Sequence, residues 1–269
     1  YHAALERGTR KTLKKFKCQK CNFELTKSNI ILKKSQEIDE QGHIYEYVQK
    51  VPVLINYSVG STRYSKTPDE SDIEKLSSIS YKEWVPHDEL PDGYNTEQPK
   101  RSHGMKWVNS FYTKRTQSVL GKLYCRFEND NKKLFLFTSV LPKLTLLNRY
   151  MPEYDDKEHK FRALVGPMAG TYYVPALSVE HNVIKQFRFQ LNKLKHLSYH
   201  KHPVLISTQS ATDLSNIPDN SIDYVFIDPP FGANIMYSEL NYMPESWIGI
   251  KTHNQDEAII NNVQKKALI

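Results

Sequence analysis

Glycine is scarce in this chain, with ten residues in 269, and no two of them form a G-x-G pair. A backbone that must closely approach a nucleoside or phosphate does so on glycines at a strand-to-helix turn. That device is absent here. Cysteine is scarcer. Three residues cannot build a disulfide framework, so the expected compartment is a reducing one, the cytoplasm. No apolar run comes near the roughly 20 residues that a bilayer crossing needs, and Tyr1 to Lys20 is too basic and polar for a secretory leader. No membrane partner is expected. Internal repeats and low-complexity tracts are missing too, which excludes a solenoid or a disordered linker as the main architecture.

Acid is what the first 35 residues lack. They hold ten basic residues (Arg7, Arg10, Lys11, Lys14, Lys15, Lys17, Lys20, Lys27, Lys33, Lys34) against Glu6 and Glu24, a balance of +8 in a chain whose total is +7. A concentrated basic segment beside a near-neutral body suits a polyanion such as nucleic acid; the plain alternative is a solvated basic face. Hydrophobic residues at 39% and aromatics at 12% are enough for a packed core in one or two domains.

Along the chain, residues 1–16 read as a basic helix and 17–25 as a knuckle around Cys18-x-x-Cys21. Residues 45–59 are rich in Val, Ile and Tyr and read as strand, with Pro52 an edge or a break. Pro68-Asp69-Glu70 ahead of Ile73 and Leu76 predicts a short helix with an acidic first turn. Residues 84–103 hold Pro86, Pro91, Asp92-Gly93 and Pro99 and read as a long polar loop. Helices are expected over 114–127 and 132–147, the second interrupted at Pro142, and 148–171 reads as loop. Val183, Ile184, Phe187, Leu191 and Leu194 recur at helical spacing and predict an amphipathic helix over 179–197. Beyond it the pattern changes. Residues 203–207 and 221–227 are continuous apolar runs, as strands buried on both faces of a parallel sheet are. Residues 256–268 read as a helix that stops uncapped, as though the fold continued.

The chemistry is concentrated in Ile222-Asp223-Tyr224-Val225-Phe226-Ile227-Asp228-Pro229-Pro230-Phe231-Gly232. In open α/β sheets ligands bind beyond the carboxyl ends of the strands. An exocyclic amino group on a base is a poor nucleophile because its lone pair is delocalised. Acceptors that take both of its N–H bonds localise that pair. The Asp228 carboxylate and the Pro229 carbonyl are the two acceptors, and two prolines remove competing N–H donors from the turn. Phe231 offers a flat face for an extruded base. The plain alternative is a strand end with a Pro-Pro turn. Upstream, Asp213 follows the first apolar run and either faces a cofactor's adenine amine or caps a turn.

The run from Leu205 to Asn262, with D-P-P-F-G-A-N at 228–234, resembles the large prokaryotic DNA methylases of the adenine-N6/cytosine-N4 class. Residues 51–60, 88–104 and 170–180 look similar too, so the resemblance covers most of the chain. It implies an α/β fold: part of a Rossmann-like S-adenosylmethionine methyltransferase sheet with a mixed α+β insertion and half of a zinc ribbon. On that basis residues 1–35 are a basic segment with a partial ribbon, 36–200 an insertion and candidate target-recognition region, and 201–269 the catalytic part. Asp213, Asp228 and Gly232 are then the cofactor contacts, and Asp228, Pro229, Pro230 and Phe231 the catalytic turn. Asn234 and Tyr237 would line the base pocket. Lys100 and Arg101, with Asn95, Ser102 and His103 in the same loop and Arg149 and Tyr150 in another, are candidates for DNA contact or plain surface.

In that family a glycine-rich cofactor turn precedes the zinc ribbon. This sequence has none, so the resemblance implies a missing upstream segment, a second polypeptide that supplies it, or a remnant. Cys18 and Cys21 would hold a structural zinc with ligands from the other half of the ribbon, or be unligated thiols. Cys125 is expected in the core. His2 and His43 lack knuckle spacing. The expected partner is double-stranded DNA. Two other functions fit the same turn: guanine-N2 methylation of RNA, and nucleic-acid binding without catalysis.

Overall fold

The structure, a computed structural model, describes residues 13–18, 20–26, 29–38, 42, 44–155, 160–196, 205–206, 213–228 and 235–252. Three antiparallel hairpins open the chain. Lys15–Lys17 (β1) pairs with Glu24–Thr26 (β2), and Phe16 turns inward opposite Leu25. The alternation K-F-K is a strand period, so residues 15–17 do not continue a basic helix; residues 1–12 lie outside the described residues. Lys34–Ile38 (β3) pairs with Ile44–Val48 (β4). The strand expected over 45–59 is split: β4 ends at Val48, and Ile55–Val59 (β5) begins after Pro52, pairing with Thr62–Lys66 (β6) across Gly60 at φ +58°. Proline cannot donate to a ladder, so it falls in the break.

A capping box then starts the helix Glu70–Ser77 (α1). The Asp69 carboxylate accepts from the Asp72 amide at 2.9 Å and Asp72 returns the bond at 3.0 Å, as the acidic first turn predicted. The long loop expected over 84–103 instead contains a helix, Tyr94–His103 (α2), closed by Gly104 in the left-handed region at φ +68°. Lys114–Phe127 (α3) is capped by Thr113, and Asn131–Val140 (α4) is capped by Asp130. A 3₁₀ turn, Leu141–Leu144, takes over from α4 at Pro142, where the interruption was expected. The loop expected over 148–171 is a hairpin, Arg149–Asp155 (β7) with Lys160–Gly166 (β8). The amphipathic helix is Val183–Leu194 (α5), capped by Asn182. Tyr237–Ile248 (α6) follows the Asp-Pro-Pro-Phe segment and was not anticipated.

The core sits where α3, α4, α5 and α6 meet. Trp247 on α6 is fully buried; its ring lies edge-on to Trp84, Tyr112 and Phe137 at 5.9, 6.0 and 5.2 Å. Leu120, Phe137, Phe187 and Met243 complete that cluster, so the core draws on both sides of residue 200. Edge-to-face aromatic packing adds roughly 0.5–1.5 kcal/mol per pair beyond burial.

The two apolar runs differ from expectation. Residues 205–206 and 221–228 carry no strand among the described residues. Leu205 and Ile206 are 91% and 86% exposed, and Tyr224 and Phe226 are both 81% exposed. A strand is covered on both faces only between neighbouring strands with helices above and below. The described sheets are all two-stranded and antiparallel, and none includes this run. The expected parallel sheet is therefore not present among the described residues. The helix expected over 256–268 lies outside them. No described helix is long and apolar enough to cross a membrane.

Candidate functional site

Asp228 closes the described part of the motif and is solvent-exposed. Pro229, Pro230, Phe231, Gly232 and Asn234 lie outside the described residues. Beyond those residues Tyr237, 40% exposed, opens α6. The far end of α6 is pinned in the aromatic core by Trp247. The motif is thus followed at once by a firmly held element.

That element also grips the candidate DNA-contact segment. Glu239 on α6 is 2% exposed, and its carboxylate accepts from the backbone amides of Tyr94 at 3.2 Å and Asn95 at 2.7 Å. These are the first N–H groups of α2, which have no acceptor within the helix and sit at its positive end. Gly93, at the helix start, is required by space: a Cβ there would fall 2.3 Å from Glu239 Oε1. Its φ of 179° is ordinary extended backbone. The Tyr172 hydroxyl adds a bond to the Glu239 carbonyl at 2.7 Å. A small cleft of about 70 Å³ lies between Pro91-Asp92 and α6, bounded by Glu239, Tyr242, Glu245 and Lys251.

The predicted contact residues divide. Arg101 is exposed. Lys100 is not free: its ammonium donates to Asp92 at 2.8 Å and to the Pro91 carbonyl at 3.2 Å. That bond holds the Asp92 carboxyl below its ordinary range. Asn95 is buried, and the Ser102 hydroxyl bonds both the Gln98 carbonyl and the His103 ring. His103 is pushed down to about 4, first by burial and then by the nearby Lys50 charge. Lys50 itself is lowered to about 8 by burial; its amine donates to Ser178 at 2.6 Å. Arg149 donates to the Gly166 carbonyl at 3.4 Å within its own hairpin. Most of this segment is therefore architecture, with Arg101 left facing solvent.

Asp213 is exposed and accepts from the Ser215 amide at 3.0 Å, which lowers its pKa. It caps a local turn, one of the two roles open to it. Asp213 and Asp228, the described residues among those expected to contact S-adenosylmethionine, are both exposed carboxylates. These suit the cofactor's amino and hydroxyl groups but include no glycine cradle for its sulfonium end.

Cys18 and Cys21 occupy the β1–β2 turn, where the Asn22 amide donates to the Cys18 carbonyl at 2.9 Å. The amides of Lys20 and Cys21 hydrogen-bond the Cys18 sulfur and lower its pKa, which favours the thiolate that a metal needs. The pair fits half of a tetrahedral zinc site. Among the described residues no three His, Cys, Asp or Glu side chains converge. Cys125 is exposed, contrary to the core placement expected of it. The buried stripe of α3 is Thr116, Gln117, Leu120 and Gly121, and residue 125 turns away from it.

Glu239 and Gly93 escaped the sequence reading. No family model matches this chain, and neither does any curated protein or solved structure.

Proposed function

We propose that this chain is the catalytic part of an S-adenosylmethionine-dependent enzyme that methylates an exocyclic amine in double-stranded DNA, adenine N6 in preference to cytosine N4. One observation carries the reading: the sequence Asp228-Pro229-Pro230-Phe231-Gly232-Ala233-Asn234 follows directly on the apolar run 222–227. The Asp228 carboxylate and the Pro229 carbonyl accept the two N–H bonds of a flipped base and localise its lone pair; Phe231 stacks on the ring and Asn234 and Tyr237 border it. The sulfonium of the cofactor supplies the methyl group for a single in-line displacement. Asp213 and Gly232 are the further cofactor contacts of this reading.

The apolar run 222–227, bare among the described residues, becomes a central strand of a Rossmann-like sheet. The rest of that sheet and the glycine turn come from outside these 269 residues, from an upstream segment or a second polypeptide. Cys18 and Cys21 hold half of a structural zinc site, and the reaction runs in the cytoplasm, where thiols stay reduced.

Methyl transfer from labelled cofactor decides the matter, using the product of the intact gene with plasmid DNA, ribosomal RNA and transfer RNA as acceptors. Labelling of plasmid DNA that disappears in Asp228→Ala is the expected result. Labelling confined to RNA, or a fully active Asp228→Ala, would overturn it.

A further inference from the structure

The hairpin β5–β6 makes few contacts outside itself, and from Asn56 to Ser65 every residue is exposed. A lone two-stranded ribbon is marginal in water, so what holds this one matters. On one face Tyr57 stacks on Tyr64, directly opposite in register, with centroids 5.5 Å apart. At the stem, Lys66 is tied to Asp72 at 2.6 Å and Asp69 at 3.0 Å, the two acids that cap α1. The ribbon is stiffened on its tyrosine face and mounted on a helix.

Its other face is different in kind. Alternation along the strands places Asn56 opposite Ser65 and Ser58 opposite Arg63 there. All four are hydrogen-bonding side chains and none is a carboxylate. No acid occurs from residue 47 to 68, and Arg63 is the basic residue on this face; Lys66 at the stem is paired with Asp69 and Asp72. Arg reads guanine O6 and N7, Asn reads adenine N6 and N7, and Ser pairs with either. Two strands about 4.8 Å apart with their side chains fit a major groove about 12 Å wide, which admits a two-stranded ribbon.

We infer that β5–β6 is a base-reading ribbon that inserts its Asn56, Ser58, Arg63 and Ser65 face into the major groove of duplex DNA. Arg63 and Asn56 supply the bidentate contacts, and the tyrosine face stays outside. This rests on the reading of DNA as the substrate, and it gives the enzyme its choice of site, separately from the turn that does chemistry. Arg63→Lys keeps the charge but loses the fork, so it separates electrostatic attraction from reading.

The test is selection by the full chain from a pool of 30-base-pair duplexes with a randomised centre, followed by anisotropy titration of the enriched duplex. The variants are Asn56→Ala, Arg63→Ala and Arg63→Lys, with circular dichroism to confirm folding; both positions are exposed, so the fold is expected to survive. The wild type enriches one sequence. Arg63→Ala binds it about ten-fold or more weakly, and Arg63→Lys retains affinity for the unselected pool while losing the enrichment. Failure of the wild type to bind or enrich any duplex overturns the inference. So does a variant pair that enriches the same sequence as the wild type, or tighter binding to single-stranded RNA that is lost in Tyr57→Ala. Asp228-dependent methylation with unaltered site choice in Arg63→Ala would sink the ribbon alone. Duplex selection by the product of the intact gene without any methyl transfer would sink the catalytic reading alone.

Discussion

Glu239 stands 145 residues from Tyr94, whose amide it caps, and it is buried while doing so. Glu239→Gln keeps one acceptor oxygen but turns an NH2 group toward the second helix amide, so it should cost about 1–2 kcal/mol, and Gly93→Ala, which crowds the carboxylate, about 2–3 kcal/mol. Urea unfolding of each variant measures this, and an unchanged midpoint for Gly93→Ala would mean that the contact is looser than 2.3 Å suggests. His103 makes a second prediction. Its folded pKa is lowered to about 4 from 6.5, so between those values the unfolded chain binds more protons than the folded one. Stability therefore falls as pH drops from about 6.5 toward 4, and it is the neutral ring that the fold favours. A His103→Gln variant should lose less melting temperature over that window than the wild type. At this scale sequence is a partial guide. The Asp69 and Asp72 pair is visible because its partners are three residues apart, whereas Glu239 gives no local sign of the helix it serves.

Among the elements, those with local causes are legible. The apolar spacing of α3 and α5 and the acidic start of α1 are each written within one stretch of chain. Three of the elements missed contain a proline: α2 has Pro99, α6 has Pro244 and β7 has Pro152. A proline lowers local helix or strand preference, and each is outweighed by something distant. For α2 that is the Glu239 cap; for α6 it is the burial of Trp247 and Met243; for β7 it is pairing along the whole of β8. The run at 221–228 carries no strand among the described residues, and an apolar run forms one only when neighbours exist to pair with it. Trp247 offers the direct check on α6. Trp247→Ala should cost about 3–5 kcal/mol, seen as a lowered denaturation midpoint and loss of near-ultraviolet aromatic signal. A smaller loss would mean that α6 is held mainly by Glu239 and Tyr172.

On the scale of the whole molecule, the basic start, the polar ribbon and the Asp-Pro-Pro-Phe turn follow one another along a chain that avoids excess acid where nucleic acid is proposed to lie. Anisotropy of duplex DNA should therefore fall steeply with salt, since neutralised phosphates release counterions; a flat salt response would argue against a polyanion partner. Metal analysis of protein purified without chelator should find about one zinc per chain with its partner segment present, and none in Cys18→Ser. The bare run Ile222 to Ile227 has a further consequence, for handling. A short, β-prone, apolar stretch open to solvent is a template for self-association, and Asp223 within it and Asp228 at its end act as charged gatekeepers. Sulfate, which strengthens apolar contact, should drive oligomers visible by light scattering, and replacing Asp228 should make them form sooner. Any loss of turnover in that variant belongs to chemistry only when it is measured on the fraction that remains dispersed.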